Sequence, residues 1–239
     1  RKYVFDDINK DQFEQVFSGT VESFNEVWWF YCSKSSSTID RYVVFNYLDN
    51  IWYYGTLDRT AWLDAPAKNF PLAATYKQNI VNHESGTDDN ELGEANAITA
   101  HISSAEFDLD DGHQFMFVHR VLPDIRFDGT LDGTIPSATL SLLPLANSGS
   151  GYNNPLTPRN INQTTITRSA TTQTVFNTNN AIAFPDIFPP KIYNIEQYTG
   201  QLNVRARGRQ MVMKVESSGL GVQWQLGSPR LDMRPDGRR

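Results

Sequence analysis

The chain is poor in cysteine, in long apolar runs and in positive charge. Its single cysteine, Cys32, excludes an internal disulfide framework, and at the end of a strand it fits a small buried hydrophobe. No run approaches the ~18 apolar residues of a membrane helix. Lys and Arg number 21 against 27 Asp and Glu, whereas a domain that grips nucleic acid is normally basic. We therefore expect no DNA-gripping module, although an acidic wall suits a channel through which a polyanion slides.

Motifs of several enzyme classes are also missing, among them Gly-x-Ser-x-Gly, the Walker loop and the dinucleotide fingerprint. The acidic stretch Asp108–Gly112 invites a calcium-loop interpretation. An EF-hand loop starting at Asp108 needs glycine at its sixth place and a carboxylate at its twelfth, which are His113 and His119. An acidic turn is preferred, with other calcium geometries left open. His83-Glu84 lacks the second histidine of a His-Glu-x-x-His zinc helix. Since none of these motifs is complete, we predict no catalytic residue, no metal site and no cofactor.

The stretch 26–57 contains three runs of β-branched and aromatic residues separated by polar turns. This pattern predicts a three-stranded antiparallel meander with a tight turn at Asp49-Asn50. Apolar residues fall on both faces of each run, so we expect both faces to be covered, as in a propeller blade. At this spacing and density we interpret the tryptophans as core residues rather than base-stacking platforms, namely Trp28, Trp29, Trp52 and Trp62.

The segments around this meander give weaker signals. Residues 1–20 predict a strand-like lead-in followed by a short helix through Phe13, Val16 and Phe17. Two short strands are expected at 73–76 and 79–82. The acidic, turn-rich stretch 85–94 is a natural exposed loop and a candidate domain boundary.

From Ala97 the pattern changes to longer strands. Leu202, Val204 and Ala206 alternate with polar residues, as expected for a strand with one buried face. We predict strands at 98–102, 106–109, 115–122, 125–127, 138–145, 202–207, 211–215 and 222–226, with 217–221 joining the last two as a hairpin. The predicted fold class is all-β, with a propeller-like antiparallel meander in 1–96 and a β-sandwich-like part in 97–239.

A long polar insertion interrupts the second part. Between Asn147 and Asn180 lie eight Asn and eight Thr but only two charged residues, Arg159 and Arg168. So few apolar groups cannot offset the entropy of ordering the chain. We interpret residues 146–190 either as an arm that lies along a neighbouring subunit or as a surface loop.

The arginines are the strongest candidates for a contact site. Arg205, Arg207 and Arg209 are two residues apart, so a regular strand would place all three on one face. Guanidinium groups suit phosphates or the carboxylates of a neighbouring subunit, and the acidic total favours the subunit. A solvated outer face is the plain alternative. The candidate subunit-contact residues are Arg205, Arg207, Arg209, Arg234, Arg238 and Arg239.

Several stretches together resemble the late part of tail proteins of short-tailed phages, called tail nozzle, tail tubular or packaged-DNA stabilisation proteins. The similarity lies in the pattern of residue types and in their order along the chain. The stretches that carry it are 27–31, 40–47, 52–57, 208–210, 222–227 and 230–239. The resemblance covers about two thirds of the chain and is weak between Pro144 and Gln197. Such proteins are usually much longer, and this chain opens at Arg1, so we expect it to be a C-terminal part.

The resemblance implies a structural virion protein of the tail rather than an enzyme. It implies a ring of identical subunits, expected to be a hexamer, that docks beneath portal-adaptor proteins, meets tail fibres or spikes, retains the genome and lets DNA pass on infection. The alternative hypothesis is a receptor- or glycan-binding tail module, which exposed Trp and Tyr beside carboxylates would favour. A glycan hydrolase is the third, and it would need two carboxylates facing each other in a cleft.

Overall fold

The computed structural model describes residues 2–64, 70–145 and 190–237. Almost all of the predicted arm at 146–190, together with Arg238 and Arg239, lies outside these described residues. The described part is nearly all β, which confirms the all-β fold class. The chain divides into two compact units, Arg1–Gly86 with Glu91–Glu94, and Thr87–Asn90 with Ala95–Arg239. A division into two domains at residue 96 stays a prediction.

The strands described in the first unit are β1 Phe17–Val21, β2 Glu26–Tyr31, β3 Arg41–Asn46, β4 Ile51–Thr56, β5 Ala61–Leu63, β6 Leu72–Ala74 and β7 Ile80–Asn82. They form two antiparallel sheets, with strand orders β1-β2-β3-β4 and β5-β6-β7. The meander predicted at 26–57 is confirmed as β2 to β4. Its second turn contains Asn50 at a φ of 56°, the left-handed conformation that asparagine tolerates.

The N-terminal segment differs from its prediction. It forms a helix α1 at Lys2–Asp7 and a 3₁₀ helix at Lys10–Gln15, followed by β1. Phe17 does not end a helix, because it pairs with Phe30 across the sheet and the two rings stack with centroids 4.8 Å apart. Burial against the meander thus decides the conformation over local spacing. No helix within the described ranges is long and apolar enough to cross a membrane.

The meander has one packed face and one face that is only partly covered. On the packed face the Trp28 ring, 6% exposed, stacks on Tyr42 at 4.8 Å and on Trp62 at 5.2 Å. On the other face Trp52 is 60% exposed and Tyr54 is 51% exposed. The prediction that both faces are covered is therefore wrong for β4 in this chain, and Trp52 is not a core residue. A propeller stays a prediction.

The described residues of the second unit form twelve strands and a single-turn 3₁₀ helix at Asp110–Gly112. The strands are β8 Asp88–Asp89, β9 Asn96–Ala97, β10 Ala100–Ser103, β11 Phe107–Asp108, β12 Met116–Leu122, β13 Ile125–Arg126, β14 Ser137–Leu145, β15 Lys191–Glu196, β16 Leu202–Gly208, β17 Gln210–Ser217, β18 Gln225–Leu226 and β19 Arg230–Pro235. Its two larger sheets are β10-β17-β14-β15, with β11 also paired to β17, and β16-β12-β19.

These two larger sheets share one core, as a β-sandwich does. Met116 and Val118 from the three-stranded sheet are fully buried beside Leu140 and Val215 from the five-stranded sheet. Each such side chain contributes about 1.5–3 kcal/mol by leaving water. The alternation predicted for residues 202–207 is confirmed, because Val204 and Ala206 belong to this core.

The predicted hairpin at 217–221 is wrong. β17 pairs with β10, β11 and β14, whereas β18 pairs with β13. The Gly221 N–H donates instead to the carboxylate of Asp88, at 2.8 and 2.9 Å to its two oxygens. Pairing across the unit therefore replaces the expected local turn.

Candidate functional site: an arginine-rich sheet face

The outer side of the β16-β12-β19 sheet carries most of the predicted contact arginines. Because Val204 and Ala206 point into the core, Arg205 and Arg207 point outward from β16. On β19, Leu231 and Met233 pack against the same core. The residues that alternate with them, Arg230, Asp232 and Arg234, therefore face outward. We call this outer side the arginine face, and its arginines are Arg120, Arg205, Arg207, Arg230 and Arg234.

Strand register brings Arg207 and Arg234 to either side of one aromatic ring. Phe117 on β12 is opposite Arg207 on β16 and opposite Arg234 on β19. The Arg234 guanidinium carbon lies 5.2 Å from the centre of the Phe117 ring, within the range of a cation–π contact. The Phe117 ring thus contacts the Arg234 guanidinium, whereas the Arg207 guanidinium lies over a different ring, that of Phe115.

Next to Phe117 along β12, His119 and Arg120 both contact Asp232 on β19. β12 has a bulge between Val118 and Arg120, and this bulge brings His119 and Arg120 to the same carboxylate. The Asp232 Oδ2 atom lies 2.7 Å from Arg120 Nη2 and 3.2 Å from His119 Nε2. The negative charge of Asp232 is therefore already balanced by Arg120, which lies on the same face.

An open cavity of about 710 Å³ lies on this face. Its lining combines two cations with aromatic and amide groups: Phe117, His119, Tyr193, Asn203, Val204, Arg205 and Arg234. The Tyr193 hydroxyl accepts a hydrogen bond from the Arg205 backbone N–H at 3.3 Å, which fixes one wall. Sequence analysis identified the two arginines but missed the other lining residues, because only the cross-strand register brings them together.

Charge on the arginine face is only partly compensated within the chain. Asp232 pairs with Arg120 and Asp236 pairs with Arg207. Within residues 2–64, 70–145 and 190–237, no carboxylate forms an ion pair with the remaining arginines of the face, Arg205, Arg230 and Arg234. In an acidic protein this leaves a local positive surface, which attracts anionic groups.

Arg207 and Arg209 hold the end of the sheet. Their guanidinium carbons lie 4.1 and 4.7 Å from the centre of the Phe115 ring. Arg209 follows β16, and its Nη1 donates to the carbonyl oxygens of Gly112 and His113, each at 3.2 Å. The three arginines predicted to share a face therefore divide into Arg205, which lines the cavity, and two that stabilise the fold around Phe115.

The other residues considered as ligands do not converge. Asp108 accepts a hydrogen bond from Gln210 Nε2 at 2.8 Å, and the preferred acidic turn is present as the 3₁₀ turn after it. His83 Nε2 accepts a hydrogen bond from Arg59 Nε at 2.8 Å, and the His83 ring lies 4.6 Å from that of Trp62. Across the part of the chain that the structure describes, no three His, Cys, Asp or Glu side chains gather as metal ligands.

A second polar cluster lies on the packed side of the meander in the first unit. Glu26 accepts a hydrogen bond from Trp28 Nε1 at 3.0 Å and interacts with the Tyr53 hydroxyl. Burial raises the pKa of the Glu84 carboxyl, and the negative charge of Glu26 raises it further. The pKa of Tyr42 is raised as well, first by burial and then by Glu84 and Glu26.

Glu84→Gln is expected to make stability less dependent on pH. The pKa of Glu84 is raised on folding, so the protonated carboxyl favours the folded state. The stability that it contributes is fully present below its ordinary pKa of 4.5 and is lost as pH rises through the pKa of the folded protein. The variant should therefore be more stable than the wild type at pH 7, by less than about 1 kcal/mol because the carboxyl is partly solvated. Thermal unfolding from pH 4 to 8 measures this, and parallel curves for the two proteins would contradict it.

No family model matches the chain, and no curated protein matches it significantly.

Proposed function

We propose that the chain is a structural virion protein, a subunit of a ring-shaped phage tail nozzle that retains packaged DNA and conducts it during ejection. The observation that supports it is the arginine face, where exposed arginines without carboxylate partners in the described residues lie on the outer side of a three-stranded sheet, in a protein with net charge −6. Such a surface suits contact with acidic groups of a neighbouring copy. The exposed Trp52 and Tyr54 offer a second contact surface.

In this proposal the protein acts by forming a wall. Identical copies close into a ring, expected to be a hexamer, and the net negative charge keeps DNA from sticking to the conduit. The partners are sister subunits, portal-adaptor proteins and tail fibres or spikes, and the location is the tail of the virion. No step of this role needs a catalytic residue or a cofactor.

The oligomeric state of the purified chain tests the proposal. Sedimentation velocity over a wide concentration range, with negative-stain images of the same samples, should show closed rings of identical copies. Association should weaken as salt is raised, because charged contacts are screened. A protein that stays monomeric at every concentration, and that mass spectrometry does not find in purified particles, would contradict the proposal.

A receptor- or glycan-binding tail module is the second candidate, and the cluster around Glu26 and Glu84 supports it. There, the half-buried Tyr42 and Tyr53 lie beside the two carboxylates, which can accept hydrogen bonds from sugar hydroxyls, whereas Trp28 is buried under Tyr42 and Trp62. Incubation with host polysaccharide, followed by binding measurement and product sizing, separates the candidates. Saturable binding without ring formation would favour this module, and shortened glycan chains would favour a hydrolase.

A further inference from the structure

We propose that the arginine face of one copy receives the acidic turn at Asp110 and Asp111 of a second copy, in a head-to-tail contact. This inference rests on the proposed function, since it specifies how copies of the chain meet. It assigns the cavity beside Arg205 and Arg234 as a carboxylate-binding site that a sister subunit fills.

The receiving side is built to bind carboxylates. Arg205 and Arg234 are exposed, line the same cavity and have no ion-pair partner among the residues that the structure describes. A guanidinium group binds a carboxylate through two parallel hydrogen bonds, and the planar fork suits an aromatic wall. The Phe117 ring beneath Arg234 supplies that wall.

The donating side is a rigid acidic turn on the same unit. Asp110 and Asp111 are both exposed, and the Gly112 N–H donates to the Leu109 carbonyl at 3.2 Å to close the turn. Arg209 holds the far side of the turn through the Gly112 and His113 carbonyls. The turn therefore presents its carboxylates without needing to be ordered first, which lowers the entropic cost of association.

The distribution of charge favours a contact between the arginine face of one copy and the acidic turn of another. Two arginine faces placed against each other would oppose like charges, which costs several kcal/mol at an interface. The acidic turn and the arginine face are different patches, so their contact can repeat from copy to copy and close into a ring, whereas a reciprocal two-fold dimer would use both contacts at once and stop at two copies. A nucleic acid is the less favoured occupant, because the whole chain is acidic, with a net charge of −6.

Charge reversal and charge exchange test the contact. Arg205→Glu with Arg234→Glu should weaken self-association by at least about tenfold, and so should Asp110→Lys with Asp111→Lys. A protein carrying all four changes should regain most of the association, because every copy then has both charges exchanged. Sedimentation velocity gives the association constants, and circular dichroism confirms that each variant is folded.

The matched control reverses two exposed cations that do not belong to the arginine face. Arg126→Glu with Lys34→Glu changes the net charge by the same amount without altering the face or the cavity lining, so association should stay within about twofold of wild type. If the control weakens association as much as the cavity variant, or if the fourfold variant shows no recovery, the inference is wrong while the ring can stand. If the wild type does not associate at all, the proposed function fails as well. If the cavity variant loses binding to a DNA oligonucleotide but not self-association, the occupant is nucleic acid and the inference is overturned.

Cysteine pairing gives a second measurement that does not depend on reversed charges. The native Cys32 is 1% exposed, so introduced thiols dominate the reactivity of the folded protein. Arg205→Cys with Asp111→Cys should form ladders of disulfide-linked multimers on oxidation, whereas Arg126→Cys with Asp111→Cys should not, because Arg126 lies outside the arginine face. Equal ladders from both variants would overturn the inference.

Discussion

Arg59→Met is expected to destabilise the first unit by about 3–5 kcal/mol, because it leaves the buried Glu91 carboxylate with the half-exposed Lys77 as its cation and removes two further partly buried hydrogen bonds. Arg59 is only 5% exposed, and its Nη1 atom lies 3.6 Å from Glu91 Oε2, whose side chain is 4% exposed. The same guanidinium donates from Nε to His83 and from Nη1 to the Asp58 carbonyl, at 2.8 and 2.9 Å. The methionine replaces the volume but none of these bonds.

Urea unfolding followed by tryptophan fluorescence measures this effect. Four of the five tryptophans lie in the first unit, so the signal reports mainly on that unit. Lys77→Met is the matched control, because Lys77 also contacts Glu91, at 3.5 Å, but its side chain is 46% exposed. It should cost less than about 1 kcal/mol.

A double variant distinguishes a buried charge from lost packing. Arg59→Met with Glu91→Leu removes both charges and should recover much of the stability, since a buried ion pair replaced by apolar groups is often nearly neutral. If the double variant is as unstable as Arg59→Met alone, the loss comes from the hydrogen bonds to His83 and Asp58 and not from the stranded carboxylate.

Much of the fold follows from sequence pattern, where local composition and burial agree. The runs at 26–31, 41–46 and 51–56 are β-branched or aromatic, and the structure places a strand at each. The pairing partners of the strands do not follow from local pattern, because they depend on parts of the chain that are distant in sequence. The pairing of β18 with β13 instead of β17, and the docking of β1 on β2, could not be derived from spacing along the chain.

The candidate site was partly predictable for the same reason. The two-residue spacing of Arg205 and Arg207 predicts a shared outward side when they lie on a strand. Nothing local predicts that Phe117 lies opposite both Arg207 and Arg234, since that register joins three strands separated by long stretches of chain. The sequence pattern does not predict the strand β19 at Arg230–Pro235, although Arg234 within it is a predicted contact residue. Arg238 and Arg239 stay predictions outside the described residues.

Gly19→Ala is expected to cost about 1–3 kcal/mol, because the added methyl group would enter the space of a fixed indole ring. A Cβ atom built on Gly19 lies 2.3 Å from Cδ1 and 2.6 Å from Cγ of Trp62. That ring cannot move cheaply, since its Nε1 donates to the Thr20 carbonyl at 2.9 Å and its face stacks on Trp28 at 5.2 Å. In an open strand position the same change would be favourable, because alanine loses less backbone entropy than glycine.

Gly200→Ala provides the control, because a Cβ atom there meets nothing within 4 Å. It should leave stability unchanged or raise it by up to about 1 kcal/mol. The clash itself is isolated by combining Gly19→Ala with Trp62→Ala: if the indole is the obstacle, the double variant should cost less than the sum of the two single changes. Additive losses, measured by urea unfolding, would mean that the close approach of Gly19 and Trp62 is not what requires glycine in β1.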